Sequence, residues 1–522
     1  MLNYETKSFL CDRHVYLRAT SGNRIFLLIR ALYISACNLE KGKNCNIRRK
    51  ESTMPVTHKS DISLQNTFSQ IANHFLESTE HFVHGEANPG GYYKAIWCRD
   101  ASYILKDWFL FGRFQDVTQA LLHIWSHQIR LGGEKIIYGR GSPKMNYSSR
   151  IASTRTQNQF EGALPTTIFY GFSEVYGLNP DIDSTALMVS TTSWIFDACL
   201  RSGVVLLEGP PPFSFSHASR QELKKNEASM VFKPSKAVMD FIIPKMLRAI
   251  DYLESRDIDG DGLLEQGHNE DWMDTTLRGG KMVYSQASWI LALRNLSSLL
   301  SGFGRNKEAD RLLELAKKNM QGVEEQLWIE EEATYNDVQE SNHIISSDRM
   351  LTQDISLYLV AITENKSVEH GGHSVESEPK TAGLQNTHKQ KINPKLADHA
   401  NCTLDTIKNR IWEDNWPAVT EKTIDPWVIH PNRYHSHTFW PWSTGIEMLA
   451  RSRFGRMEEC NILLSVLTSK NEEGSLNAFY EWIDPITHIG KGAFPFKTGI
   501  SALRIAFSDI LYRGLDPGAL SH

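Results

Sequence analysis

The chain has 522 residues, 41% of them hydrophobic and 22% charged, with a formal net charge of −5, which supports one large domain or two to three ordinary ones. It offers no basic field for nucleic acid, and no apolar run reaches the ~20 residues of a membrane span. The seven cysteines form no CxxC pair, so neither a disulfide framework nor a zinc site is expected, and a reducing, cytoplasmic setting is the simpler expectation.

Residues 1–53 carry ten Lys and Arg against four Asp and Glu, and they show little periodicity. They read as a poorly ordered extension, with one domain over 54–522 starting near Met54-Pro55. A lipobox-like Ile34-Ser35-Ala36-Cys37 follows the apolar Ile25 to Tyr33, but Arg30 interrupts that stretch. Beyond residue 60 the periodicity predicts helices over about 60–80, 115–130, 184–201, 235–255 (with Pro244 bending or dividing it), 306–327, 348–363 and 457–468. Trp289, Ala292, Leu293, Leu296, Leu299 and Leu300 mark another core-facing face, as do Ile500, Leu503, Phe507, Ile510 and Leu511 before Gly514.

Phe-Gly-Arg occurs at 111–113, 303–305 and 454–456, each time between two amphipathic stretches. A glycine just past a helix closes it in the left-handed conformation, so each copy predicts a helical hairpin. Tyr176-Gly177-Leu178-Asn179-Pro180 looks like a variant of the same stop. About a dozen helices follow from this count. The expected fold class is all-α, an (α/α)6 toroid of helical hairpins with irregular loop insertions, the alternative being an irregular α-solenoid. Polar segments from Gly209 to about Lys233 and from Glu364 to Leu396 read as insertions, and His370, His373 and His388 in the second as solvent-exposed imidazoles.

Several clusters carry chemistry. Trp97, Arg99 and Asp100 follow Tyr92-Tyr93. Arg99 and Asp100 can fix adjacent hydroxyl groups beside the Trp97 ring, or Asp100 can cap a helix at Ala101 with Arg99 as its ion partner. Gln157 to Pro165 can add amide contacts or shape a turn. Asp257-Ile258-Asp259-Gly260-Asp261-Gly262 has half of a calcium loop, but His268 stands where the closing Glu belongs, so an Asx-and-Gly turn is preferred. Next come Asp271, Trp272 and Asp274, then Tyr434-His435-Ser436-His437 with Trp440 and Trp442, then Glu481-Trp482 ahead of Asp484-Pro485. Aromatic rings beside acids hold sugars, because a ring stacks on the apolar face of a pyranose and can keep a nearby carboxyl protonated. Cleaving a glycosidic bond needs one protonated and one ionised carboxyl, and Asp274 and Glu481 are the candidate pair. Asp271 and Asp484 are the reserves. Asp274 can instead pair with Arg278 one turn on. His435 and His437 can contact hydroxyls, and Trp440 or Trp442 can form a stacking platform.

With these segments together, the chain resembles the six-hairpin inverting glycosidases: glucoamylase, trehalase, processing α-glucosidase and the amylo-α-1,6-glucosidase module of glycogen debranching enzymes. The resemblance runs over most of residues 60–514. Trp97-Cys98-Arg99-Asp100 resembles the Trp-x-Arg-Asp element that holds the terminal glucose; Glu270-Asp271-Trp272-Met273-Asp274 resembles the acid segment of the debranching and trehalase groups; Glu481 with Pro485 and Thr487 resembles the base element of processing glucosidases. The resemblance implies an (α/α)6 barrel with its site at the wide mouth, Asp274 as acid, Glu481 as base, and Trp97, Arg99 and Asp100 on the terminal glucose; the residues themselves offer further sugar contacts from Asp271, Trp272, His435, His437, Trp440 and Trp482. It implies no metal and no cofactor, only a carbohydrate substrate. Two departures matter: glucoamylase itself uses a Glu as acid, and His488 replaces the Gly expected after Thr487. The chain has no room for the transferase domain of a debranching enzyme, so a free-standing exo-acting α-glucosidase fits better.

Three other readings differ in their chemistry. A phosphorylase would need an anion pocket, with Lys491 and Lys497 as candidates. An epimerase or isomerase would use His435 and His437 as acid and base. A binding scaffold would keep sugar affinity without turnover.

Overall fold

The computed structural model describes residues 59–130, 136–138, 160–176, 179–202, 236–267, 270–276, 278–339, 350–363, 393–423, 434–471 and 474–514. The readings of 1–53, of 209–233, of Gly177-Leu178 and of His370, His373 and His388 lie outside them. The described residues form twelve α-helices: α1 Lys59–Thr79, α2 Cys98–Leu110, α3 Phe114–Ser126, α4 Ile182–Ser202, α5 Lys236–Glu254, α6 Val283–Gly302, α7 Asn306–Gly322, α8 Ser356–Thr363, α9 Pro394–Ile411, α10 Pro441–Arg453, α11 Met457–Thr468 and α12 Lys497–Gly514.

Burial divides them into two rings. On α6, nearly every residue from Val283 to Leu300 is buried, the mark of a helix covered on all sides. Its partner α7 buries one stripe, Ala309, Leu312, Ala316, Asn319 and Gly322, at helical spacing. The even-numbered helices pack in order, α2 on α4, α4 on α6, α6 on α8, α8 on α10, α10 on α12, and α12 closes back on α2. Among the odd-numbered helices, α3, α5, α7 and α11 lie outside against their predecessors, and α1 packs on α12 and α11. The fold is therefore an all-α toroid of helical hairpins.

The three Phe-Gly-Arg turns share one geometry. Gly112, Gly304 and Gly455 have φ of 79°, 72° and 76°, and the amide of the following Arg reaches back to Trp108, Leu300 and Arg451 respectively. Each arginine then binds an acid one turn into the next helix: Arg113 with Asp116, Arg305 with Glu308, Arg456 with Glu459.

Two expectations need correction. Pro244 does not divide α5, which runs through it. Residues 393–396 are not insertion: Asn393 caps α9 by accepting the Lys395 amide at 3.0 Å, and Pro394 opens the helix, a pairing of N-cap and N1 proline. Strands are short. β1 Ile96–Trp97, β3 Thr167–Phe169, β4 Phe172–Val175 and β2 Ile136–Tyr138 form one small sheet in that spatial order, with Trp97 opposite Thr167. At the Asp257–Gly262 turn, Asp257 and Asp261 accept the amides of Gly262 and Leu263. The Lys281 ammonium sits 2.7 Å from Asp259 and 2.6 Å from Asp261, and Lys318 lies 3.2 Å from Asp257. Protein ammonium groups supply the positive charge at this turn.

Candidate active site

The first turns of α2, α10 and α12 open on one cavity of about 480 Å³, its open mouth included. Helix N-termini carry unpaired N–H groups and positive dipole ends, so this end of the toroid suits carboxylates. Trp97, Arg99, Asp100, Trp272, Asp274, His435, Trp440 and Glu481 all line the cavity.

Asp274 lies on the loop between α5 and α6. Arg278 does not pair with it; that guanidinium is held by Asp354 at 2.7 Å, Asp337 at 3.0 Å and Asp271 at 3.2 Å. The Trp272 indole also donates to Asp354, at 2.7 Å. The loop is thus pinned to the starts of α6 and α8, and the Asp274 carboxyl is left facing the cavity. A quarter of its side chain is accessible. His435 Nδ1 lies 3.8 Å from it and is itself bonded to Thr275 Oγ1 at 2.8 Å. Removal from bulk water pushes the Asp274 pKa up to about 7; Arg99 pulls it down, while Asp271, Glu481 and Asp100 push it further up.

Glu481 is buried yet surrounded by donors. The phenols of Tyr93 and Tyr434 donate to Oε1, both at 2.6 Å. Tyr92 donates to Oε2 at 3.0 Å and the Ala493 amide to the same oxygen at 2.7 Å. Burial, followed by neighbouring acidic groups, holds Tyr93 and Tyr434 well above the usual phenol range, and Tyr92 is pushed up to about 12. All three phenols therefore keep their protons and serve as donors, and Glu481 accepts all four bonds. The segment that carries these contacts lies so close that a Cβ at Gly492 would stand 2.2 Å from Oε2.

Arg99 and Asp100 sit in the first turn of α2, which starts at Cys98, so Asp100 is not an N-cap. Asp100 instead accepts from Thr498 on α12 at 2.6 Å, and burial pushes it up to about 6 against the pull of Arg99. Arg99 is clamped on both oxygens of Asp183, at 3.0 and 3.2 Å. Trp272 meets Trp440 edge-on at 5.4 Å and Trp442 at 4.6 Å, and Trp97 meets Tyr93 edge-on at 5.6 Å. These rings form the cavity's apolar walls.

Other sequence candidates lie elsewhere. Asp271 is fully engaged by Arg278, Gln266 at 2.8 Å and the Met273 amide at 2.9 Å, and it supports the loop rather than lining the cavity. His437, at a φ of 55°, turns outward to Thr420 O at 2.6 Å and Glu413 at 2.9 Å. Trp482 follows Glu481 into a strand, where successive side chains point to opposite faces; it is buried behind Tyr434 at 6.1 Å. Asp484 caps its own turn by accepting the Ile486 and Thr487 amides. Lys497 points to the carbonyls of Glu86 at 2.8 Å and His84 at 3.4 Å, and neither it nor Lys491 lines the cavity. Phe160, Ala163 and Leu164 are core, while Gln157–Gln159 lie outside the described residues. The Glu481 partners that the sequence reading missed are Tyr92, Tyr93 and Tyr434. Their signal was present, two tyrosines ahead of Trp97 and one ahead of His435.

No family model and no curated protein matches this chain. Solved structures do match. A single-residue variant of a glycosidase is 11% identical with a TM-score of 0.50, over 89% of this chain and all of the other. A GH63 mannosylglycerate hydrolase from Thermus thermophilus, in complex with glucose, is 14% identical with a TM-score of 0.48, over 85% of this chain and 99% of the other. The chain has the six-hairpin glycosidase fold. At such identities the likeness speaks to the fold alone.

Proposed function

We propose that the chain is an inverting, exo-acting glycoside hydrolase, an α-glucosidase of glucoamylase or debranching type acting on oligosaccharides, glucans or small glycosides. The observation that carries this reading is two carboxyls on one cavity with opposite surroundings: Asp274 desolvated and pushed up to about 7, Glu481 held by four donors. Asp274, protonated, gives its proton to the leaving oxygen as the anomeric carbon becomes cationic. Glu481 takes a proton from the water that attacks the opposite face. Arg99, Asp100 and the indoles of Trp97, Trp272 and Trp440 orient the ring that reacts, which lowers the barrier by positioning. Residues 54–522 then form the catalytic unit.

The phosphorylase reading loses support because its two lysines lie away from the cavity, and the epimerase reading because His437 does. Proton NMR of the purified protein with maltose, isomaltose, trehalose, short glucans and glycosylated acids tests the proposal. One sugar should be cleaved without phosphate, and the first product should have inverted configuration. Retention, phosphate dependence or an uncleaved panel would overturn it.

A further inference from the structure

Glu481 has to accept a hydrogen bond from the water it deprotonates, yet its acceptor sites are occupied. An ionised carboxylate offers about four lone-pair sites, and four donors take them. Oε2 is bound to the Ala493 amide, backbone that the Glu481 amide ties down in return by donating to Ala493 O at 3.1 Å, and to Tyr92. Oε1 is the oxygen bound to Tyr93 and Tyr434, the two phenols that line the cavity. A water in the cavity therefore reaches the base at Oε1, in the place of one phenol proton.

Those two hydroxyls lie 3.3 Å apart. One can turn its hydrogen from Oε1 to the other's oxygen with no heavy atom moving. The two phenols are not equivalent in this exchange. Tyr93 packs edge-on against Trp97 at 5.6 Å, on the α2 side of the cavity. Tyr434 packs against His435 at 4.3 Å and Trp440 at 5.0 Å, on the side that holds Asp274. Of the two phenols, Tyr434 is thus the one whose ring packs on the Asp274 side of the cavity.

Resting on the hydrolytic reading above, we propose that Tyr434 is the positioning residue for the attacking water. Its hydroxyl hydrogen turns from Glu481 to Tyr93, which keeps its own bond to Oε1. The water then donates one hydrogen to Oε1 and the other to the Tyr434 oxygen, and its lone pair is left aimed at the anomeric carbon. In the chemical step the water's O–H bond to the hydrogen held by Oε1 breaks and that proton stays on Glu481; the new O–C bond forms as the glycosidic C–O bond breaks, and Asp274 gives its proton to the leaving oxygen, which takes the bonding pair. Tyr434 neither gains nor loses a proton.

A double-mutant cycle on the sugar that the wild-type protein cleaves tests this. Tyr434→Phe should lower kcat by roughly ten- to a hundredfold, the worth of a hydrogen bond in a charged network, with KM within about threefold. In a Glu481→Gln background, where no base orders the water, Tyr434→Phe should change kcat by less than about twofold. Unfolding curves confirm that each variant folds. If the two losses multiply, or Tyr434→Phe acts on KM, Tyr434 holds the sugar and the inference fails while the hydrolytic reading stands. If Glu481→Gln leaves kcat unchanged, the hydrolytic reading itself fails.

Discussion

The two walls of the cavity treat the same functional group in opposite ways. On the Asp274 wall the carboxyl is surrounded by indoles and by other acids, and none of the described residues hydrogen-bonds to it; on the Glu481 wall three phenols and an amide converge. One environment raises the pKa of its carboxyl by desolvation, and the other fills its carboxyl with hydrogen-bond donors. In the proposed reaction, acid and base are distinguished by what surrounds each residue rather than by which is Asp and which is Glu.

Removing the ionisable group on either wall should break this division most severely. Asp274→Asn and Glu481→Gln keep shape and volume, and each should lower turnover by roughly 10²- to 10⁴-fold with unfolding curves close to wild type at about pH 4. Either amide variant retaining a tenth of wild-type turnover would remove that wall from the chemistry.

The acid wall also has a cost that titrates. Asp274 rises from 3.8 to about 7 on folding, so ionising it opposes the fold. That penalty is absent below about pH 4, grows as pH rises and is complete above pH 7, where three units amount to on the order of 4 kcal/mol less the screening by cavity water. Asp274→Asn should therefore melt higher than wild type at pH 8, with the gap closing as pH falls toward 4. Wild-type activity should decline as pH rises through about 7, as the acid loses its proton. A melting gap that is constant or reversed in sign with pH would show that Asp274 is solvated.

Much of this was legible in the chain. The three Phe-Gly-Arg turns predicted hairpins because a left-handed glycine is a local requirement that tertiary packing does not override. The tryptophans near Asp274 marked its wall, since a desolvated acid needs apolar neighbours and these lie close in sequence. The base wall was less legible. Tyr92 and Tyr93 are separated from Glu481 by nearly the whole chain and meet it only when α12 closes on α2. Asp271, His437 and Trp482 were misplaced for a different reason: each sits one to three residues from a cavity residue, and Arg278 and Gln266 draw Asp271 away, a positive φ turns His437, and strand alternation turns Trp482. Proximity in sequence identified the segment but not the side chain that faces inward.

The mildest perturbation asks whether the base wall acts as one unit or as two oxygens with separate duties. Tyr92 is 59% exposed, makes the longest of the four bonds to Glu481 and binds Oε2, the oxygen turned away from the cavity-lining phenols. A neutral donor in contact with solvent is worth about 1 kcal/mol, because water replaces it when it is lost. Tyr92→Phe should therefore lower kcat by less than about fivefold and leave KM unchanged, well short of the loss expected for Tyr434→Phe on Oε1. Equal losses for the two variants would mean that all the donors simply hold the carboxylate in place, and the distinction between its two oxygens would have no chemical meaning.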